Sequence, residues 1–433
     1  MNVNVYEAFK ERMKIVCDNF DNIIIAFSGG KDSGMLLNLT LQYIKENNLN
    51  IKPIVFHQDV EAQYTLTSEY VERTYENLVK QDVILPYWCC QSIGLRVATS
   101  VFQYKWLPWN EDEKNIWTRD MPKCPYIKTN SNFQFEGFYK GMEYHEHFDK
   151  FNEYVQKTFG GKTISLSGIR TQESLNRYRA VVNKKHMFKD YKWTVKQDEN
   201  IYRGYPLYDW TVEDIWAANA KFEFDYNKIY DKMYLSGASL SQMRVASPFH
   251  DDAQSSLELF KIVEPEIWDK LINRVQGAGF TARYANSKLM GKNMHTPPNN
   301  LDWRQFTRFL LRTLPRETRS NYASKFMKSV IFWHTQGGGL DQEVIDELKN
   351  GNYRIRENGS SPWARSKIRI CFDGLIPCET DDVKCKDVPS WKRMCKCILK
   401  NDYACLYMGF GLTAEQNKMA QSLKQSFEKK EKK

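Results

Sequence analysis

Six consecutive residues, Ser28-Gly29-Gly30-Lys31-Asp32-Ser33, have the makings of an anion seat. Glycines tolerate positive φ and close backbone approach, so Gly29 and Gly30 let several successive N–H groups point at one phosphate-sized anion. Asp32 and Ser33 then open a helix whose positive dipole end faces the same place. The pattern lacks the Lys-Ser or Lys-Thr pair, after a longer loop, that holds β and γ phosphates for γ transfer. A second group, Gly168-Ile169-Arg170-Thr171-Gln172-Glu173-Ser174, is followed by Arg177 and Arg179, and the rigid guanidinium fork suits bidentate binding of phosphate or sulfate. A third, His57-Gln58-Asp59-Val60-Glu61, offers Asp59 and Glu61 as contacts for ribose, adenine or Mg2+.

Each group follows an apolar run. Ile23-Ile24-Ile25-Ala26-Phe27 reads as a buried strand feeding the glycine loop, with a helix over 32–45 behind it. Residues 51–56 and 163–167 read as strands that end at the carboxylates and the arginines, and 83–87 as a further short strand. Helices are expected over 4–18, 69–80 and 138–159. This alternation predicts βαβ units and a parallel sheet, and such sheets bind ligands beyond the carboxyl ends of their strands. From 89 to 135 the pattern gives way to a stretch rich in Trp and Pro, with Trp106, Trp109 and Trp117. That is too long for a plain loop and reads as a functional insertion or lid. Thr211 and Asp214 form a helix-start box ahead of Val212, Ile215 and Trp216.

Ser28 to Ser33, Gly168 to Ser174 with Arg177, and Pro206-Leu207-Tyr208-Asp209-Trp210-Thr211 occur in this order. Together they resemble the adenylyl-sulfate family of PP-loop proteins, which includes phosphoadenosine phosphosulfate (PAPS) reductase and the small subunit of ATP sulfurylase. The resemblance runs over residues 20–235 and implies an α/β fold of the adenine nucleotide alpha hydrolase-like kind, a five-stranded parallel sheet flanked by helices. It implies that Ser28, Gly29, Gly30, Asp32 and Ser33, with Phe27 and Gly168 beside them, surround ATP or PAPS/adenylyl sulfate. Lys31, Asp32, Arg170 and Arg177 are then the catalytic candidates, with Asp32 also on Mg2+ and the arginines at the far anionic end. Two departures stand out. The reductases' Glu-Cys-Gly-Leu/Ile-His nucleophile segment is missing, and Cys89-Cys90 lacks the later Cys-x-x-Cys of the iron-sulfur branch. Further on, Ser390-Trp391-Lys392-Arg393, residues 398–402 and residues 406–411 resemble the extra region of prophage-associated PAPS reductase relatives, the immunoglobulin-binding regulator A group of prophage gene co-activators. That resemblance implies a ParB-like partner protein and action on or near nucleic acid.

A chain of 433 residues suggests more than one domain. The expectation is a nucleotide-binding domain over 1–235 and a mainly helical, basic, Cys-containing region over 236–433. No apolar run approaches the ~20 residues of a membrane span, and the first turns lack a leader's apolar centre, so a cytoplasmic location is expected. Ten cysteines in such a setting argue for thiols or metal ligands. Cys378, Cys385, Cys395 and Cys397 are the candidate ligands for zinc or an iron-sulfur cluster. The net charge of +9 is uneven: from Leu301 onward there are 25 basic and 16 acidic residues, against 37 of each before it. The surplus favours a polyanionic partner for the carboxy-terminal third, such as nucleic acid. There, 300–314 reads as a helix with Trp303, Phe306, Phe309, Leu310 and Leu314 inward and Arg304, Arg308 and Arg312 on another face, placed to follow a phosphate backbone. Gly337-Gly338-Gly339 reads as a flexible joint or a helix end, and 428–433 as disordered.

Three functions compete on these residues. The first is a Mg2+-dependent enzyme that cleaves between α and β phosphates and adenylylates or sulfur-modifies an acceptor. The second is PAPS or adenylyl-sulfate reduction with Cys89, Cys90 or Cys397 as replacement nucleophile. The third is a non-catalytic nucleotide sensor that controls a partner.

Overall fold

Alternate residues of the Ile23–Ile25 run face opposite sides of a sheet, and the chain covers both sides with helices. The computed structural model describes residues 4–100, 103–173, 177–178, 181, 187–240, 243–250, 257–279, 296–298, 301–361, 364–380 and 388–410. Two compact units are present: residues 1–97 with 105–282, and residues 98–104 with 283–433. No helix among the described residues is long and apolar enough to cross a membrane.

The first unit runs α1 (Val5–Asn19), β1 (Asn22–Ala26), α2 (Lys31–Glu46), β2 (Ile54–Gln58), α3 (Thr65–Lys80) and β3 (Leu85–Cys90). Next come the small pair β4 (Leu95–Arg96) and β5 (Lys105–Trp106), then β6 (Ile127–Thr129), α4 (Tyr144–Phe159), β7 (Thr163–Leu166), β8 (Thr194–Asp198) and β9 (Ile201–Gly204). Helices α5 (Val212–Phe222), α6 (Ile229–Leu235), α7 (Leu257–Val263) and α8 (Pro265–Arg274) complete it. The strand order is β6-β3-β2-β1-β7-β9-β8, parallel throughout except for the β8–β9 pair. The four strands read from the sequence are β1, β2, β3 and β7, and β9, which was not anticipated, brings these parallel strands to the implied five. β6, supplied by the Trp-rich stretch, and antiparallel β8 extend the sheet to seven.

Ile23, Ile25, Val55, Trp88 and Cys90 pack with α1, α2 and α3, while Ile24, Phe56 and Cys89 pack with Phe148, Phe151 and Val155 of α4. Successive strands lie on opposite sides of β1: β2 on one side, β7 on the other. The order therefore reverses between β1 and β7, which is where open α/β sheets form a ligand crevice. The unit continues to residue 282 because Met243, Phe249, Phe260 and Leu271 bury themselves with Tyr64, Trp106 and Tyr230. Helix α4 starts at Tyr144, later than expected, since Gly141 takes φ +84° and the backbone bridges from Glu143 to Gly94.

The second unit contains α9 (Trp303–Thr313), α10 (Arg316–Thr335), β10 (Gly338–Leu340), α11 (Gln342–Asn350), β11 (Ile355–Ser361), β12 (Ala364–Phe372) and α12 (Trp391–Leu399). The region is helical as expected, but β10-β12-β11 also form an antiparallel sheet. The glycine triplet is no joint. Gly337, at φ +75°, ends α10, and Gly338 and Gly339 enter β10, where a side chain at 338 would strike Trp333. Helix α9 begins with a capping box between Asp302 and Gln305 and buries Trp303 and Phe306 as expected. Phe309 does not turn inward; it is 54% exposed.

Candidate active site

The loop after β1 is stitched by its own hydroxyls. Ser33 Oγ donates to Gly30 O (3.1 Å) and accepts from Ser28 N (3.1 Å). Its proton being committed, Ser28 Oγ, 2.9 Å away, donates to it. Only Gly29 takes positive φ, +75°, and a Cβ there would sit 2.8 Å from Val71 Cγ2. Gly30 is instead the extended N-cap of α2 and offers no side-chain cap. The first-turn amides of a helix have no carbonyl behind them, and that of Lys31 donates to Tyr230 Oη at 3.0 Å.

The arginine group meets this loop. Arg170, only 4% exposed, donates from Nε to Asp32 Oδ1 at 2.6 Å, and Lys31 Nζ lies 3.3 Å from Asp32 Oδ2. Gly168 permits the approach: a Cβ on it would fall 2.7 Å from Asp32 O and 3.1 Å from Ser33 N. Gly168→Ala is therefore expected to push β7's loop off α2 and lower stability by about 1–3 kcal/mol, read as a lower thermal midpoint. Arg177, partly exposed, reaches Glu173 Oε2 at 3.1 Å and stands one residue pair back from Asp32. The third motif is tied in as well. Thr171 donates from both N and Oγ1 to Tyr208 O at 2.9 Å, and the Thr211–Asp214 capping box forms.

Sequence reasoning missed Asn227, Tyr230 and Arg244. Fully buried Asn227 donates from Nδ2 to Gly29 O and to Thr67 Oγ1, both at 2.9 Å, and so latches the loop to α3. Burial, reinforced by the charge of Asp32, pushes the Tyr230 phenol far above its usual range, so it stays protonated beside the loop. Arg244 donates to Glu173 O at 3.2 Å. The only sequence signal was Asn227 ahead of an apolar pair, a local cap, which Asn227 Oδ1 provides to Ile229 N.

Residues 22–237 match the family described as phosphoadenosine phosphosulfate reductase domain. Over these residues the first unit is similar to PAPS reductase domains. Residues 237–419 match a second family, described as a domain of unknown function (DUF3440). The Escherichia coli (strain K12) uncharacterized protein YbdN is 29% identical over 421 residues, covering 96% of this chain and 92% of that one. Among solved structures, Candida glabrata FMN adenylyltransferase in complex with FMN and the ATP analog AMPCPP is 16% identical with a TM-score of 0.30, covering 53% of this chain and 63% of that one. The match thus spans less than two thirds of the adenylyltransferase. PAPS reductase from Candida auris, in a phosphate complex, is 13% identical with a TM-score of 0.29, covering 57% and 89%.

Within the first unit, two expected nucleotide contacts face elsewhere. The Phe27 ring lies in the core against Tyr70 and Tyr75, leaving only its backbone at the end of β1. Asp59 is fully buried, and its carboxylate accepts from Trp88 Nε1 (2.9 Å), Trp109 Nε1 (3.2 Å), Glu61 N (2.9 Å) and Arg119 Nη2 (2.5 Å). Burial alone would raise its pKa, but the Arg119 guanidinium, His57 and the Glu61 N–H together outweigh it and hold the carboxyl below the ordinary range. Glu61, also fully buried, accepts from Trp109 N, Thr118 N and Arg274. These two acids pin the Trp-rich stretch to the sheet, so that stretch is fixed at its middle and not hinged like a lid.

Four of the candidate thiols, Cys89, Cys90, Cys395 and Cys397, are enclosed as well. Cys89 and Cys90 alternate to opposite faces of β3, and burial pushes both far above the usual thiol range. Cys395 packs against Trp303 and Phe306, and its thiol is pushed up to about 12 by burial. Cys397 sits in a different cluster with Tyr322 and Cys405, because positions two apart on a helix point well over a right angle from each other. Cys378 is exposed, and Cys385 lies outside the described residues. The expected zinc or iron-sulfur ligand set is not assembled: among the described residues no three His, Cys, Asp or Glu converge.

Proposed function

We propose that the first unit binds ATP in the β1/β7 crevice and cleaves it between the α and β phosphates. An acceptor oxygen forms the new bond to the α phosphorus, the bond to the β-phosphate oxygen breaks, pyrophosphate leaves and the acceptor proton passes to solvent. The supporting observation is the 2.6 Å contact between Arg170 Nε and Asp32 Oδ1. It unites the first-turn amides of α2, Lys31 and a buried guanidinium where the strand order reverses, which suits neutralising charge on a departing pyrophosphate. Asp32 supplies one carboxylate to this mouth, and Mg2+ takes the rest of its shell from phosphate and water in such sites, so the donor set fits that ion. When bound, Mg2+ would add charge neutralisation at the phosphates.

The reductive alternative needs a reachable thiolate, and Cys89, Cys90 and Cys397 are buried. Incubation with ATP and Mg2+ tests the proposal. AMP or an adenylylated product with pyrophosphate is expected. ADP with inorganic phosphate, or intact ATP after prolonged incubation with a range of acceptors, would overturn it, and sulfite from PAPS with a dithiol would favour the reductive reading.

A further inference from the structure

The hydroxyls around the glycine loop divide unequally between giving and receiving. A Cβ built on Gly30 would meet Ser28 Oγ at 3.4 Å, Tyr230 Oη at 3.4 Å and Ser33 Oγ at 4.0 Å, so three hydroxyls border the space that this glycine leaves open. Two of their protons are committed within the loop: Ser33 Oγ donates to Gly30 O, and Ser28 Oγ to Ser33 Oγ. The third is not. Tyr230 Oη accepts the Lys31 amide at 3.0 Å, and among the described residues no acceptor takes its own proton. Tyr230 is 2% exposed, and a buried hydroxyl with an unused donor is costly until an acceptor arrives.

A rigid mount delivers this phenol. Asn227 Nδ2 holds Gly29 O, and Asn227 Oδ1 accepts from Ile229 N at 3.0 Å where α6 starts. Ile229 and Met233 are wholly buried, and the Trp216 ring meets the Tyr230 ring edge-on at 5.6 Å. Lys31 Nζ stands 5.3 Å from the centre of the same ring. Tyr230 Oη is therefore fixed against the first turn of α2 before any ligand arrives, as a preorganised donor must be.

We propose that Tyr230 touches the substrate: it accepts the Lys31 amide and turns its O–H, as a neutral hydrogen-bond donor, to an oxygen of the pyrophosphate group seated at the start of α2. This rests on the crevice holding the phosphate end of ATP, as proposed above, and adds a residue from outside the three sequence motifs. No proton is transferred and no covalent bond changes. Amide, hydroxyl and anion form one chain in which each link polarises the next. A phenol suits the place because Asp32 already brings a negative charge to it. Burial, reinforced by that charge, keeps the Tyr230 proton on its oxygen, so no phenolate forms there to repel phosphate.

The test is calorimetric titration of the full chain with inorganic pyrophosphate and Mg2+. The parent is expected to bind. Tyr230→Phe, which keeps the ring, should bind about ten- to a hundred-fold more weakly, the worth of one hydrogen bond to a charged group. Tyr70→Phe is the control. The Tyr70 phenol is also buried against α2, beside Gly34, but donates to Asp225 O at 3.4 Å, so its removal should leave pyrophosphate affinity at the parent value. A phenol that only propped the Lys31 amide would lower the melting midpoint of Tyr230→Phe and leave its pyrophosphate affinity unchanged. That result, an equal loss of affinity in Tyr70→Phe, or no binding by the parent at about 1 mM pyrophosphate, would overturn the proposal. Tyr230-dependent binding by a parent that leaves ATP intact would uphold the contact and remove the cleavage reading alone.

Discussion

Arg274→Met is expected to lower the stability of the first unit by about 3–5 kcal/mol, the scale for stranding a buried charge. Arg274 and Glu61 have side chains 1% and 0% exposed, and the guanidinium gives Nε to Glu61 Oε1 at 2.8 Å and Nη2 to Oε2 at 3.1 Å. It also donates to Glu113 Oε2 at 2.8 Å and to Leu107 O at 2.7 Å. Without it the Glu61 carboxylate keeps two backbone donors, Trp109 N and Thr118 N, and no counter-charge among these contacts. Urea unfolding followed by tryptophan emission would read the loss, since Trp106 and Trp109 lie in this network. Adding Glu61→Gln to Arg274→Met should recover part of the loss, because a neutral amide needs no buried partner charge. A single variant within about 1 kcal/mol of the parent would mean that water reaches the carboxylate and the pair is dispensable.

This network also marks where the sequence stops being informative. The strand, glycine loop and helix from Ile23 to Leu39 were legible because local residues dictate them: an apolar run, a position that only glycine fills easily, and a 3.6-residue period. The meeting of Gly168 and Arg170 with Asp32 was legible one level up, since parallel strands deliver their following loops to one edge. Asp59 and Glu61 obey the same rule yet turn inward, because their partners come from far along the chain. Arg119 is 60 residues from Asp59, and Arg274 is 213 from Glu61. No periodicity encodes such pairings. Tyr230 and Asn227 were hidden for the same reason, reaching the loop across 199 and 198 residues. In the second unit, β11 reads Ile-Arg-Glu-Asn-Gly-Ser-Ser, without the alternation that would announce a strand; its long pairing with β12 makes it one.

Arg170→Ala is expected to cut pyrophosphate release from ATP by about a hundred- to a thousand-fold, as losing one preorganised donor at a developing charge does elsewhere. Two effects add. The guanidinium is lost from the crevice, and the Asp32 carboxylate, relieved of its 2.6 Å partner, turns more repulsive toward phosphate. Sequence alone gave Arg170 and Arg177 equal standing. The geometry separates them, for Arg177 is 41% exposed and engages Glu173, so Arg177→Ala should cost less than about tenfold. Arg170→Lys keeps the charge but loses the fork that serves Asp32 Oδ1 through Nε and Gln172 Oε1 through Nη1 at 3.2 Å. It should fall between the parent and Arg170→Ala in turnover number, with a smaller change in KM than in kcat if the guanidinium acts on the departing pyrophosphate. Were Arg170 merely a strut for α2, the three variants would rank by melting temperature, and turnover per folded molecule would be the same in each. That outcome would move the chemistry away from the β1/β7 crevice.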